Sequence, residues 1–181
     1  MAASSSSPGA RRLLEVAEAT AERRLHVFSA MVEPLALEGA MLDGYVGDGL
    51  LAHFEGDDRA GRAVRAAQRM RAALRLLNAA HPEREPVRVG IAVHAGPVLV
   101  VTIGAPERRE YTLIGDAVHV TDRLEKYNKE LGSVVIASEV ALAGMADPGR
   151  LGFRGPRLVE VRGHDRPLAV HYVPEDAPLP P

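Results

Sequence analysis

Apolar residues recur at helical spacing across residues 10–37, at Leu13, Leu14, Ala17, Ala21, Leu25, Phe28 and Val32. Pro34 is expected to kink or end this helix, because it lacks a donor and crowds the preceding turn. Residues 41–46 and 50–54 are short apolar runs on either side of Gly47-Asp48-Gly49, which predicts a β-hairpin. Asp57 or Asp58 can cap a second long helix running to about residue 80. Its stripe is Ala60, Val64, Ala67, Met70, Leu74 and Leu77. The opposite face carries Arg62, Arg65, Arg69, Arg71 and Arg75, and reads as a solvated face rather than an anion-binding surface.

Beyond Pro82 and Pro86 the period changes. Residues 87–94 alternate and are β-branched, and 98–103 form a second extended run. Residues 105–110 read as a polar turn, and 111–114 as returning strand. Gly115-Asp116 opens a helix to about residue 131, with Asp116 as the expected cap. A strand at 134–137, a short helix capped by Ser138, and a hairpin of 158–161 with 168–173 complete the pattern. This order predicts an α+β fold, an antiparallel sheet with helices on its faces. Residues 1–9 are expected to be a flexible leader, 10–173 one domain, and the proline-rich 174–181 a disordered tail.

The chain has 181 residues, enough for one domain with its own core. Its 22 Lys+Arg and 24 Asp+Glu leave a formal charge of -2, which gives no whole-molecule case for nucleic acid or an anionic membrane. The absence of cysteine excludes disulfides, thiolate chemistry and Cys-based zinc sites. No apolar run approaches the ~20 residues of a membrane span, and the first residues lack the apolar core of a signal peptide. A cytoplasmic location is expected.

Three local features carry candidate chemistry. Asp48 sits at a hairpin tip between glycines, where a carboxylate can approach a ligand closely and serve Mg²⁺ beside phosphates. The same spacing also suits a plain Asp-Gly turn. His119 and Arg123 are one helical turn apart and share a face. Arg123 can grip a phosphate bidentately and His119 can donate or carry a proton, although such a helix can equally make ordinary surface ion pairs. Arg162-Gly163, in the last turn, can reach a phosphate or be a simple turn charge. His26, His53, His81, His94, His164 and His171 show no metal-ligand spacing and read as structural or surface residues.

Taken together, three segments are more specific. GYVGDGLLAHFEG (44–56), VRVGIAVHAGPVLVVTIGAPERREYTLIGDAVHVTDRLE (87–125) and VEVRGHDRPLAVHYV (159–173) resemble, in order, the class III adenylate/guanylate cyclase domain. The resemblance implies a ferredoxin-like core and head-to-tail pairing, as a homodimer or as a heterodimer with another cyclase domain. It further implies a nucleoside triphosphate at the dimer interface, held with Mg²⁺ or Mn²⁺. The ribose 3′-oxygen attacks the α-phosphate and pyrophosphate leaves. By this resemblance Asp48 matches the second metal-binding Asp, Thr112 a purine-selecting position, Arg123 the transition-state Arg, and Arg162 a phosphate-binding Lys. Gly44 replaces the base-recognising Lys, and His119 the transition-state Asn.

The strand that carries the first metal Asp in the family has no counterpart here. The opening MAASSSSPGARRLLEV resembles the family's segment on the C-terminal side of that strand, so Met1 reads as an internal methionine of a longer frame. The other reading is a shortened domain that borrows a partner's strand. In either case the strands beside the gap are expected to show unpaired edges. Weak or no cyclase activity is expected of the chain as it stands. The alternative is a catalytically inactive pseudo-cyclase that dimerises or senses nucleotide. A GGDEF-type diguanylate cyclase is disfavoured, because the block from Thr112 to Arg123 has no counterpart there. The substrate base stays open.

Overall fold

The computed structural model describes residues 25–46, 49–105 and 108–180. The described part of the first helix, α1, spans residues 25–37 and runs past Pro34. Pro34 lies in the last turn, where its missing N–H costs a single bond, so the helix ends one turn later. The end is set by Gly39, at φ 71, with Ala40 N–H donating to Leu35 O at 2.9 Å. The expected hairpin comes next as β1 (Met41–Val46) and β2 (Gly49–His53), with a bulge between Leu42 and Gly44.

Helix α2 (Arg59–Ala80) starts at Asp58, but this residue makes no side-chain cap. Its carboxylate instead lies 2.9 Å from Arg65 Nη1. The arginine face is only partly solvated. Arg65 and Arg69 each place Nε 2.9 Å from the Glu38 carboxylate, and Arg62 donates to the carbonyls of Glu38 and Glu55. The loops before β1 and after β2 are thereby fastened to α2.

Strand β3 (Ile91–Val93) is shorter than the alternation predicts. Asn78 takes both backbone groups of Val87, accepting from its N–H at 2.8 Å and donating to its carbonyl at 2.9 Å. Strands β4 (Leu99–Ala105) and β5 (Arg108–Ile114) form a separate hairpin whose ladder extends into the expected polar turn. The remaining elements are α3 (Asp116–Leu131), β6 (Ser133–Ser138), α4 (Glu139–Leu142), a 3₁₀ turn at Pro148–Leu151, β7 (Arg154–Val159) and β8 (Leu168–Pro174). Ser138 caps α4 as expected, its Oγ accepting from Ala141 N.

The main sheet has the order β3-β6-β8-β7. It is not purely antiparallel: β3 runs parallel to β6, while β8 is antiparallel to both β6 and β7. The parallel pair arises from connectivity, since α3 forms the crossover between β3 and β6. Side chains along β6 alternate between two cores. Val135 and Ala137 pack with Val64, Ala67 and Met70 of α2, whereas Ile136 packs with Val120 and Leu124 of α3. The helices therefore lie on opposite faces. Among the described residues β2 pairs only with β1, and β3 only with β6, so each keeps one edge without a ladder partner.

Residues after β8 were expected to form a disordered tail, yet they pack on α2. Ala177 is 4% exposed, and Arg71 donates to the carbonyls of Ala177 and Pro178. Arg75 adds bonds to Glu175 and Ala177. Guanidinium donors give this proline-rich stretch the hydrogen bonds that a strand ladder would otherwise supply.

Candidate functional site

Helix α3 carries the most chemistry. Its docking on the sheet accounts for Gly96 and Gly115. A β-carbon at Gly96 would lie 2.9 Å from Ala117 Cβ. At Gly115 it would lie 2.8 Å from Pro97 O. These contacts press the N-terminal half of α3 against the end of β3 and the start of β4. Asp116, His119 and Arg123 then fall on one face. Gly115 rather than Asp116 occupies the cap position, which leaves the Asp116 carboxylate for other partners.

The turn between β7 and β8 runs along that face. Tyr127 OH donates to Glu160 O at 2.6 Å. At Gly163, where φ is 91, an added β-carbon would lie 3.6 Å from Arg123 Nη1. His164 Nε2 lies 3.0 Å from Asp116 Oδ2. Arg162 is exposed on this turn, His119 is exposed, and Arg123 is half-buried. The structure thus brings the Gly163 turn close to Arg123, on the face of α3 that also carries His119 by helical spacing.

The Asp116 carboxylate also acts electrostatically on a second imidazole. His94, at the end of β3, has Nδ1 2.8 Å from the Oγ of fully buried Ser138. Burial holds His94 below the ordinary imidazole range; the Asp116 carboxylate pulls it up, and His164 pushes it further down. Both histidines read as structural or surface residues in sequence. Only folding shows that the Asp116 carboxylate pairs with His164 and acts electrostatically on His94.

The neighbours of Gly44 and Thr112 are joined by a different contact. The bulge places Asp43 so that its Oδ2 accepts from Leu113 N at 3.2 Å, tying the first hairpin to β5 beside Thr112. Gly44 has φ 154, a conformation that side chains rarely adopt, and no atom lies within 4 Å of its would-be β-carbon. Thr112 is half-buried. Asp48 lies outside the described residues. Among the described residues no group of three or more His, Asp or Glu is placed to hold a metal ion.

The sequence matches the model of the adenylate and guanylate cyclase catalytic domain over residues 45–173. An adenylate cyclase of Anabaena cylindrica is 30% identical over 142 residues, covering 75% of this chain and 28% of that protein. Adenylate cyclase 1 of Rhizobium meliloti is 31% identical over 144 residues, covering 70% of this chain and 21% of that protein. The chain therefore spans about a quarter of the length of these relatives. The crystal structure of the guanylyl cyclase Cya2 superposes with a TM-score of 0.71 at 28% identity, covering 85% of this chain and 82% of that one. The adenylyl cyclase CyaB from P. aeruginosa superposes at 0.66 and 22% identity, over 86% of this chain and 82% of that one, a likeness of fold alone.

Proposed function

Because the chain belongs to the adenylate and guanylate cyclase catalytic domain family, we propose that it binds a nucleoside triphosphate in a dimer and converts it, slowly at most, to the 3′,5′-cyclic nucleotide and pyrophosphate. What supports this reading is the approach of the Gly163 turn to Arg123, on the α3 face that His119 shares by helical spacing. Arg123 and His119 supply donors for charge that grows on the α-phosphate as the ribose oxygen attacks. Arg162 holds the outgoing pyrophosphate. Asp48 is the carboxylate assigned to Mg²⁺ or Mn²⁺, which supplies charge neutralisation at the phosphates when bound.

Two features keep the expected rate low. An imidazole at position 119 differs from an amide in shape and reach. The open space over Gly44 offers a base no side-chain partner, so Thr112 alone does not choose between purines. The same glycine supports a second reading, a module that binds nucleotide without turnover.

Apolar side chains exposed at the root of the β4–β5 hairpin supply a pairing surface. Leu99 and Ile114 are exposed and directly opposite each other in the ladder, on the same face of the hairpin. A second copy of the chain is the simplest partner, and another cyclase domain is the alternative. No described helix is long and apolar enough to cross a membrane. A cytoplasmic location, where nucleoside triphosphates are at hand, suits this chemistry.

The test is incubation with ATP, GTP, CTP and UTP plus Mn²⁺, with cyclic products read by mass spectrometry. The expected result is a small yield of one or more cyclic nucleotides, abolished by both Asp48→Ala and Arg123→Ala. Triphosphate binding with no product from folded dimer would establish the second reading. Absence of both binding and product would overturn the proposal.

A further inference from the structure

The turn that carries Arg162 has little packing of its own. Arg162, Gly163, His164, Asp165, Arg166 and Pro167 are all exposed. Its internal bond is a single turn closure, His164 N–H to Val161 O at 3.0 Å. Against α3 it is fixed at three heights: Glu160 by Tyr127, Gly163 by close approach to Arg123, and His164 by Asp116. The first contact lies at the strand end, before the turn. The second is a contact with a guanidinium that the phosphates themselves would engage. The His164–Asp116 contact alone ties the far side of the turn to the helix with groups that no proposed step uses.

From this geometry we infer that Asp116 and His164 are positioning residues, which set the Arg162-Gly163 turn against Arg123 so that the two guanidiniums can hold one polyphosphate together. The inference rests on the proposed function and deepens it, by naming what orders the phosphate-binding end of that site. The charges make it testable. Asp116 is an anion beside an anion site. If it acted only through its charge, its removal would strengthen phosphate binding. If it acts by holding the turn, its removal weakens binding. Asp116 is well placed for this role: it is fixed by the close docking of α3 at Gly96 and Gly115, and its carboxylate lies 3.0 Å from His164 Nε2.

The experiment measures binding of inorganic tripolyphosphate with Mn²⁺ to the full chain by calorimetry, with thermal unfolding followed in parallel. Asp116→Asn and His164→Gln are each expected to weaken binding about five- to tenfold. The double variant should be no weaker than either single one, since both remove the same contact. His164→Lys, which keeps an N–H donor opposite Asp116, is expected to stay within about twofold of the parent. An Asp116→Asn variant that binds as well as or better than the parent would overturn the inference. So would a His164→Lys variant as weak as His164→Gln. Should the parent bind no tripolyphosphate, both the inference and the proposed function fall. Should Arg123→Ala and Arg162→Ala weaken binding while the Asp116 and His164 variants do not, the inference alone falls.

Discussion

His94 shows how burial at one residue converts into a pH dependence. Its ring is half-buried against Ser138, and burial holds it below the ordinary imidazole value of about 6.5. The folded state therefore prefers the neutral ring more strongly than the unfolded chain does. The associated stability is present above the unfolded value and is lost as the pH falls through the folded one. Asp116 opposes this preference and His164 reinforces it, so the net effect is the lowering caused chiefly by desolvation. Between about pH 7 and pH 5 the parent is expected to lose more melting temperature than His94→Gln, which keeps an amide for Ser138 and cannot titrate. Parallel losses in the two proteins would show that His94 contributes nothing to the acid limb. At the neighbouring glycines the reasoning is steric rather than electrostatic. The backbone of Pro97 and Val98 leaves no room for a methyl at Gly115, so α3 can lie close only with glycine there.

At the scale of elements, α2 acts as a clamp as much as a core helix. One stripe buries Val64, Ala67, Met70 and Leu74 against the sheet. The arginines beside that stripe hold chain segments that have little packing of their own. Arg71 is the most committed. It is 1% exposed, and its partners are the carbonyls of Ala177 and Pro178 and the Gln68 amide rather than a carboxylate. Arg71→Met should leave those carbonyls short of donors, at a cost of about 1–3 kcal/mol per unsatisfied group. A urea titration would show the loss in overall stability. Hydrogen exchange at Glu175, Asp176 and Ala177 should rise by a larger factor than exchange in β6. Exchange rising equally in both would mean that the segment is not separately fastened. Arginine-rich helix faces read as solvated surface because sequence does not say which carbonyls will come within reach. Here the carbonyls arrive from 106 and 107 residues further along the chain.

For the whole molecule the question is what covers the apolar root of the β4–β5 hairpin. Leu99 is 63% exposed and Ile114 54%, and they face each other across the ladder. This exposed aliphatic pair is the surface proposed above for pairing. Leu99→Glu combined with Ile114→Glu is expected to shift the protein to monomer in analytical ultracentrifugation while leaving its circular dichroism intact. Any cyclic product should disappear with the dimer. A double variant that still sediments as the parent does would place the interface elsewhere.

Elements whose signals are local could be read from the chain alone. The hairpin around residues 47–49, the two long helices, the Ser138 cap and the order of strands come from period, turn residues and capping chemistry, which act over a few positions. The motifs running from Gly90 to Arg123 also sufficed for the family, because a motif is a local string that needs no tertiary information to be recognised. Folding in three dimensions was needed to set the parallel register of β3 against β6, the fastening of the residues after β8, and the use of Asp58 in an ion pair rather than a cap. It was needed too to pair His164 with Asp116. Each of these depends on groups far apart in the chain. Distance along a sequence carries no information about which donor will find which acceptor once two layers of helix have closed on a sheet.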